Sequence, residues 1–157
     1  MNETVIVREA GPPDLEAIIS LWLDLQKYNA ALDPRLTASD GAEAWFRDYL
    51  REQLENERAA VFVALLDNAV VGYIFGQILR RPTLDETECG YVGDLCITEE
   101  YRQRGIGTEL YERLQKWFVD KEITVLEVQV IRSNLIGDAF WSSLGFNDFV
   151  YTKRVEL

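Results

Sequence analysis

A glycine turn carrying two arginines is the stretch of this chain best suited to chemistry. Its residues are Arg102, Gln103, Arg104, Gly105, Ile106, Gly107 and Thr108. Glycine takes positive φ without steric cost and lets the backbone approach a ligand closely. At the start of a helix, unpaired N–H groups and a partial positive charge favour an anion. Arginine guanidinium groups match phosphate oxygens, so the turn predicts a cradle for a pyrophosphate.

Hydrophobic periodicity predicts the elements that position this turn. Apolar runs predict strands at residues 4–9, 60–66, 70–79, 91–97, 124–130 and 148–155, with a hairpin turn at 67–68. Helical stripes predict a helix after Asp14, a second over residues 39–56, a third after the glycine turn and a short fourth that opens at Asn134. Residues 29–40 are predicted to be a loop, and the buried stripe of the second helix is predicted to contain Ala42, Trp45, Phe46, Tyr49 and Leu50.

This order of elements predicts the fold class. A hairpin followed by strand, helix, strand, helix and strand is typical of an α/β (α+β) fold with a mixed, mostly antiparallel sheet and helices on both faces. The 157 residues are enough for one core and too few for two ordinary domains. We therefore expect a single domain over residues 1–157.

The composition excludes several classes of function. The chain carries a formal charge of −11 and no basic stripe, which argues against nucleic-acid binding and favours cationic partners. No apolar run reaches the roughly 18 residues that span a bilayer, and residues 1–4 lack the pattern of a signal peptide. We expect a cytoplasmic protein without membrane association.

The histidine and cysteine content narrows the chemistry further. The chain has no histidine, which excludes Ser-His-Asp and Cys-His catalysis and any zinc site that needs imidazole. Cys89 and Cys96 lie on one predicted strand at an odd separation, which is expected to place them on opposite faces and too far apart for a disulfide. We expect no metal site.

Two motifs in the right order carry a resemblance to a known family. The first is Arg/Gln-x-x-Gly-x-Gly/Ala, which residues 102–107 match, and the second is Asn134 followed by Gly145-Phe146. In both motifs the chain is similar to the GNAT superfamily of acyl-CoA-dependent N-acetyltransferases. The predicted strand before the turn and the helix after it stand where that family has them.

A Rossmann dinucleotide site is the competing interpretation of the glycine turn. Glu127 stands about twenty residues beyond the turn, where that site has a ribose-binding acid. However, Leu110 occupies the position of the third glycine, and the turn follows an antiparallel hairpin too late for a doubly wound sheet. We therefore expect Glu127 to be an exposed strand residue.

The resemblance implies transfer of an acetyl group from acetyl-CoA to a primary amine of a small molecule or peptide, directly within a ternary complex. In that family the strand before the turn bulges and splays from its parallel neighbour, here the fourth and fifth strands. The pantetheine arm would bind the backbone of Leu95, Cys96 and Ile97, and Asn134 would be a further cofactor contact. Backbone N–H groups from Arg102 to Thr108 would hold the pyrophosphate.

Direct transfer needs a neutral amine, so a base must take a proton from an alkylammonium group whose pKa is near 10.4. Asp94 is the first candidate for base or substrate anchor. It stands at the expected bulge and alternates with Leu95, so the two side chains should point to opposite faces. Glu88 is the second candidate, because it shares the parity of Asp94, although it lies six residues away. The alternative is that Asp94 and Glu88 are exposed acidic residues on a strand without a catalytic role.

One position departs from the family pattern. Many members carry a tyrosine four residues before the Gly-Phe pair as the acid for the leaving thiolate, whereas this chain has Trp141 there. An indole N–H cannot deliver a proton near pH 7, so either water protonates the thiolate or Trp141 is a core residue. We name no catalytic acid.

The rival interpretation is a module that binds CoA as a sensor, or mediates association, without turnover. Trp141 is the feature that favours it. The C-terminal strand, near residues 149–155, offers an edge for a homodimer. Nothing in the sequence identifies the acceptor amine.

Overall fold

A five-stranded sheet between two layers of helices makes up residues 4–157, the part of the chain that the computed structural model describes. The strands are β1 (Ile6–Glu9), β2 (Ala59–Leu66), β3 (Ala69–Arg80), β4 (Glu88–Ile97) and β5 (Leu126–Val128). The helices are α1 (Leu15–Leu32), α2 (Ala42–Glu55), α3 (Ile106–Asp120) and α4 (Leu135–Ser143). The strands lie in the order β1-β2-β3-β4-β5, and β4–β5 is the parallel pair. The predicted α/β (α+β) fold with a mixed, mostly antiparallel sheet is confirmed.

The central hairpin forms because its turn residues accept a left-handed backbone. Asp67 and Asn68 have φ of 47° and 65°, as a type I′ turn requires at both of its central positions. The strands on either side are largely buried. They are covered on both faces, which explains why they appear in the sequence as continuous apolar runs rather than alternating ones.

Each face of the sheet carries its own apolar core. On one face α3 contributes Phe118 and α4 contributes Trp141, and on the other face α1 contributes Ile18 and α2 contributes Phe46. Gly90 lets α3 lie close to the sheet, because a Cβ at that position would come within 2.8 Å of the Phe118 ring. The prediction of helices on both faces is confirmed.

The bounds of several elements differ from the predictions. α1 continues to Leu32, and a 3-10 turn at Pro34–Leu36 follows, so the predicted loop at residues 29–40 starts later and is partly ordered. β5 covers only Leu126–Val128 of the predicted residues 124–130. Trp45, predicted to be buried, is 62% exposed.

The predicted C-terminal strand at residues 148–155 does not form. Phe149, Val150 and Tyr151 are 66% to 74% exposed, and no strand within residues 4–157 pairs with this segment. An alternating pattern indicates which residues a strand could bury, but it does not supply the neighbouring backbone that a strand must pair with. The homodimer edge therefore stays a prediction without a strand to carry it.

No helix within residues 4–157 is long and apolar enough to cross a bilayer. Within the same residues, no three His, Cys, Asp or Glu side chains gather as a metal site. Residues 1–3, on which the signal-peptide prediction largely rests, lie outside the described part.

Candidate active site

A β-bulge in β4 organises the site. Asp94 pairs with Phe75 of β3, but the ladder then skips Gly93, which has no partner of its own. Such an extra residue shifts the alternation of side chains and bends the strand. Asp94 therefore faces the α1–α2 layer, whereas Leu95 packs against the core under α3. The expectation that Asp94 and Leu95 point to opposite faces is confirmed.

β4 and β5 diverge where the bulge begins. They pair at Gly90, Tyr91 and Val92 and no further. Beyond that point one edge of β4 faces no strand within residues 4–157. Backbone N–H and C=O groups along such an edge can pair with an extended ligand. The predicted splay between the fourth and fifth strands is present.

The glycine turn has the backbone of an anion cradle. Gly105 caps α3 with φ of 83°, and Gln103 has φ of 61°. No atom lies within 4 Å of the place that a Cβ on Gly105 would take, so the turn faces open space. The N–H groups of Ile106, Gly107 and Thr108 open α3 and have no helical acceptor before them. They add to the positive end of the helix dipole.

Arg102 connects the turn to β4 and α1. Its Nε donates to the Ile97 carbonyl at 3.0 Å, and its guanidinium lies 5.7 Å from the centre of the Tyr28 ring. The Tyr28 hydroxyl donates to Asn134 Oδ1 at 3.1 Å, and the same oxygen accepts the Gly137 N–H at 3.0 Å. The Ile97 carbonyl is therefore engaged, and a cofactor contact by Asn134 would use its Nδ2 amide.

A cavity of about 410 Å³ lies beside this junction. Its lining comes from α1 and from the end of β4 with the turn that follows: Leu21, Asp24, Lys27, Tyr28, Cys96, Ile97, Thr98, Glu99 and Arg102. Cys96 and Ile97, two of the three predicted pantetheine contacts, and Arg102, the first arginine of the predicted pyrophosphate cradle, thus border one opening, whereas Leu95 packs against the core under α3.

A second cavity, of about 200 Å³, lies on the α1–α2 side of the bulge. We call it the aromatic pocket, because most of its wall consists of Trp22, Trp45, Phe46, Tyr49, Phe75 and Tyr91. Gln77, Gly93 and Asp94 complete the lining. Asp94 is the charged side chain among these lining residues, so the pocket combines an apolar wall with a single carboxylate.

Asp94 has the electrostatics of a base. Asp94 is partly buried. Burial raises the pKa of its carboxyl to about 6, whereas the nearby Tyr73 hydroxyl acts to lower this pKa. That hydroxyl is enclosed and makes no hydrogen bond of regular geometry within residues 4–157. The contact between the two groups is thus electrostatic rather than a well-formed bond. Burial, with Asp94 as the second cause, raises the pKa of Tyr73, Tyr49 and Tyr91.

Comparison with known proteins identifies the family. A model of the acetyltransferase (GNAT) family matches residues 21–146. The chain belongs to this family. The matched region contains the bulge, the glycine turn, α2, α3, α4 and the part of α1 from residue 21 onward.

One similar protein is an N-alpha-acetyltransferase from Sulfurisphaera tokodaii, 36% identical over 107 residues. The aligned part covers 62% of this chain and 62% of that relative, so the chain matches about three fifths of the relative's length.

Two solved structures share the fold. A variant of the BH1408 protein from Bacillus halodurans superposes with a TM-score of 0.84 at 22% identity and covers 97% of this chain and 99% of its own. The aminoglycoside N-acetyltransferase AAC(6′)-Iy, in complex with a bisubstrate analogue of CoA and acetylneamine, has a TM-score of 0.71 at 21% identity. That comparison covers 97% of this chain and 99% of the other.

Within this GNAT fold Glu88 does not join the site. Its carboxylate lies 2.8 Å from Arg58 and 3.8 Å from Arg80. The expectation that it shares the face of Asp94 is wrong, because the bulge at Gly93 reverses the alternation between the two residues. Glu88 has the surroundings of a structural ion-pair partner.

The bulge also changes the arrangement of the two cysteines. It reverses the expectation that Cys89 and Cys96 lie on opposite faces, and both are free thiols. The Cys96 thiol donates to the Leu21 carbonyl at 3.3 Å, and burial raises its pKa to about 12. A thiol with such a pKa is not ionised near neutral pH, so Cys96 can serve a cofactor through its backbone but not as a nucleophile.

Trp141 is a core residue in this GNAT chain. It is 8% exposed, and its ring makes edge-to-face contacts with Tyr111, Phe140 and Phe146 at centroid distances of 4.9 to 5.9 Å. Of the two alternatives for Trp141, these contacts support the core role. The expectation that Glu127 is an exposed strand residue is wrong, because in β5 it is partly buried and its carboxylate accepts a hydrogen bond from Arg81 at 2.6 Å.

Sequence reasoning missed most of the aromatic pocket. The residues in question are Trp22, Trp45, Phe46, Tyr49, Phe75, Gln77 and Tyr91, which come from four different elements. Helical spacing identified Trp22, Trp45, Phe46 and Tyr49 only as apolar stripes. The aromatic residues Trp45, Phe46 and Tyr49, close together on α2, were the available signal, since Tyr and Trp are enriched at interfaces.

Proposed function

We propose that the chain transfers an acetyl group from acetyl-CoA to a primary amine of a small molecule or peptide, directly within a ternary complex. The position of Asp94 carries this proposal. It stands between the aromatic pocket and the unpaired edge of β4. An amine in the pocket and a thioester along the edge would therefore meet beside one carboxylate. The functions named for the relative from Sulfurisphaera tokodaii and for AAC(6′)-Iy support amine acetylation.

The residues present fit a CoA thioester. The left-handed, unobstructed Gly105 and the opening of α3 suit a pyrophosphate. The guanidinium of Arg102 and the unpaired edge of β4 at Leu95 and Cys96 suit the pantetheine arm that extends from the pyrophosphate. When bound, acetyl-CoA supplies the acyl group in activated form.

Asp94 would accept the proton that the attacking ammonium group must lose. With a pKa of about 6 for Asp94, the difference between its pKa and that of an alkylammonium group falls from roughly 6.5 units to roughly 4. Each unit of this difference is worth about 1.4 kcal/mol in the proton transfer. The apolar walls narrow it further, because desolvation lowers the pKa of an amine. Backbone N–H groups at the bulge would stabilise the negative charge that develops on the acyl oxygen.

Release of free thiol from acetyl-CoA, measured against a panel of amines, tests this proposal. We expect at least one primary amine to accelerate release and to appear as its N-acetyl product by mass spectrometry. The core position of Trp141 favours a second candidate, a module that binds CoA without turnover. Tight binding of acetyl-CoA with no acceleration by any amine or peptide would support that candidate instead.

A further inference from the structure

The aromatic pocket has a composition that selects among amines. Six aromatic rings surround a single carboxylate, and the pocket lining contains no lysine or arginine. An ammonium group gains energy from the faces of aromatic rings as well as from a carboxylate. The body of a ligand in such a pocket gains only where it is apolar, since most of the wall offers it no hydrogen bond.

Four of the six rings in the walls stack in pairs. Trp22 stacks on Phe46 with centroids 4.3 Å apart and planes 6° from parallel. Trp45 stacks on Tyr49 at 5.0 Å and 11°. Rings held in stacked pairs lose little rotamer freedom on binding, which reduces the entropic cost of association.

The size of the pocket limits what enters it. Its volume of about 200 Å³ is below the roughly 300–1,000 Å³ of pockets that enclose drug-sized ligands. A ligand with several positive charges would place charges where no second carboxylate lines the wall, and a buried unpaired charge is costly.

We infer that the acceptor of the proposed reaction is a small monoamine whose single ammonium group is attached to an apolar or aromatic body, bound between the aromatic pocket walls with its nitrogen at Asp94. This inference rests on the proposed function for the reaction and on the pocket for the selectivity. It makes Trp45 a binding residue, and because Trp45 is 62% exposed its removal should leave the core intact.

Calorimetric titration of the intact protein tests the inference without turnover. Four probes separate the contribution of the positive charge from that of the aromatic group. 2-Phenylethyl-trimethylammonium carries both, 2-phenylethanol carries the aromatic group alone, tetramethylammonium carries the charge alone, and spermidine carries several charges. We expect the first to bind about tenfold or more tighter than each of the others. Equal binding of 2-phenylethanol, or tighter binding of spermidine, would overturn the inference.

Two variants assign the binding to this pocket. Trp45→Ala should weaken the first probe about tenfold, whereas Tyr151→Ala, at a residue that is 66% exposed and does not line the pocket, should leave it unchanged. Undiminished binding by Trp45→Ala would show that the probe binds elsewhere. With 2-phenylethylamine as acceptor, Trp45→Ala should raise KM about tenfold and change kcat by less than about threefold.

The two proposals fail differently. If no amine is acetylated while the cationic probe still binds in a Trp45-dependent manner, the proposed function falls and the pocket's selectivity stands. If peptides or polyamines are acetylated while the probe does not bind, only the inference about the acceptor falls.

Discussion

The Tyr73 hydroxyl is enclosed beside the Asp94 carboxylate and has no hydrogen bond of regular geometry within residues 4–157. Tyr73 is fully buried on the α1–α2 face of β3. A buried polar group without a partner is costly to stability. Its place next to the proposed base therefore has a consequence for the chemistry.

Tyr73→Phe tests that consequence. The hydroxyl opposes the rise in the pKa of Asp94, so its removal should raise that pKa further. We expect the acidic limb of the pH–rate profile to move to higher pH by a few tenths to about one unit. At pH 4, where Asp94 is protonated, stability should stay equal or increase, because an unsatisfied group is removed. At pH 7 the higher pKa of Asp94 should lower stability by about 1.4 kcal/mol for each unit by which that pKa rises. An acidic limb that does not move would mean that Tyr73 has no influence on the ionisation that controls the rate.

Asp94→Asn should lower kcat about 100-fold or more, because general-base catalysis is worth roughly 10² to 10⁴. The pH optimum should move upward, since free amine then forms only by deprotonation in solution. The affinity for acetyl-CoA should be nearly unchanged, because the glycine turn is intact. Initial rates between pH 5 and 10 measure the first two effects.

Glu88→Gln is the matched control for that experiment. The two acids share one strand, but the bulge and the ion pairs with Arg58 and Arg80 separate Glu88 from the site. Turnover within about twofold of the wild type is expected. A loss in Glu88→Gln comparable to that in Asp94→Asn would remove the special role of Asp94.

Asp94→Asn should also change the way in which the stability of the fold depends on pH. The folded-state pKa of Asp94 is raised from 3.8 to about 6, so between these values the folded chain binds more protons than the unfolded chain. Its stability therefore falls as pH rises through this window. Asp94→Asn removes that penalty. We expect a gain of about 1 to 2 kcal/mol at pH 7, less than the full shift implies because the carboxyl is partly open to the pocket.

Urea denaturation at pH 4 and pH 7 measures this effect. The gain should be present at pH 7 and mostly absent at pH 4, where Asp94 is protonated in the fold. A variant less stable than the wild type at pH 7 would indicate that the ionised carboxyl is well solvated or well paired.

Local patterns were enough to predict the layers of the fold and the glycine turn. The left-handed backbone of Gly105 follows from residue type and spacing. The sequence could not predict whether Glu88 shares a face of the sheet with Asp94, or Cys89 with Cys96. The single unpaired residue Gly93 moves every later side chain of β4 to the opposite face. No local signal marks which glycine of a strand will be skipped, since its partner lies on another strand.

The pocket shows a second limit of sequence reasoning. Trp45 and Tyr49 sit in an apolar stripe and were predicted to be buried, but Trp45 lies at the rim of a cavity instead. Helical spacing indicates which residues share a face. It does not indicate whether the facing elements close against that face, which depends on packing between α1, α2 and β3.

Gly107→Trp tests the cofactor path. A Cβ at Gly107 would lie 3.4 Å from Phe140 and 3.7 Å from Leu95, so a larger side chain would project between α3, α4 and the edge of β4. We expect at least about a 100-fold loss of acetyl-CoA affinity by calorimetry. Gly41→Trp, where nothing lies within 4 Å of a Cβ, is the control and should bind normally. Normal binding by a folded Gly107→Trp protein would contradict the path.

Trp141→Phe separates a core role from a role in leaving-group protonation. The smaller ring loses contacts with Tyr111 and Phe146, so we expect a loss of about 1 to 2 kcal/mol of stability and a Tm lower by roughly 2 to 8 °C. Turnover at a temperature where the variant is folded should stay within about threefold, because a thiol pKa near 8.5 makes protonation by water undemanding.

Trp141→Tyr completes the comparison, since it supplies the hydroxyl that many family members have at this position. If water suffices, kcat and the alkaline limb of the pH–rate profile should match those of Trp141→Phe. A kcat that rises several-fold in Trp141→Tyr alone would mean that thiolate protonation limits the wild-type enzyme. The rate of the wild-type protein would then be limited because the indole of Trp141 cannot protonate the leaving thiolate.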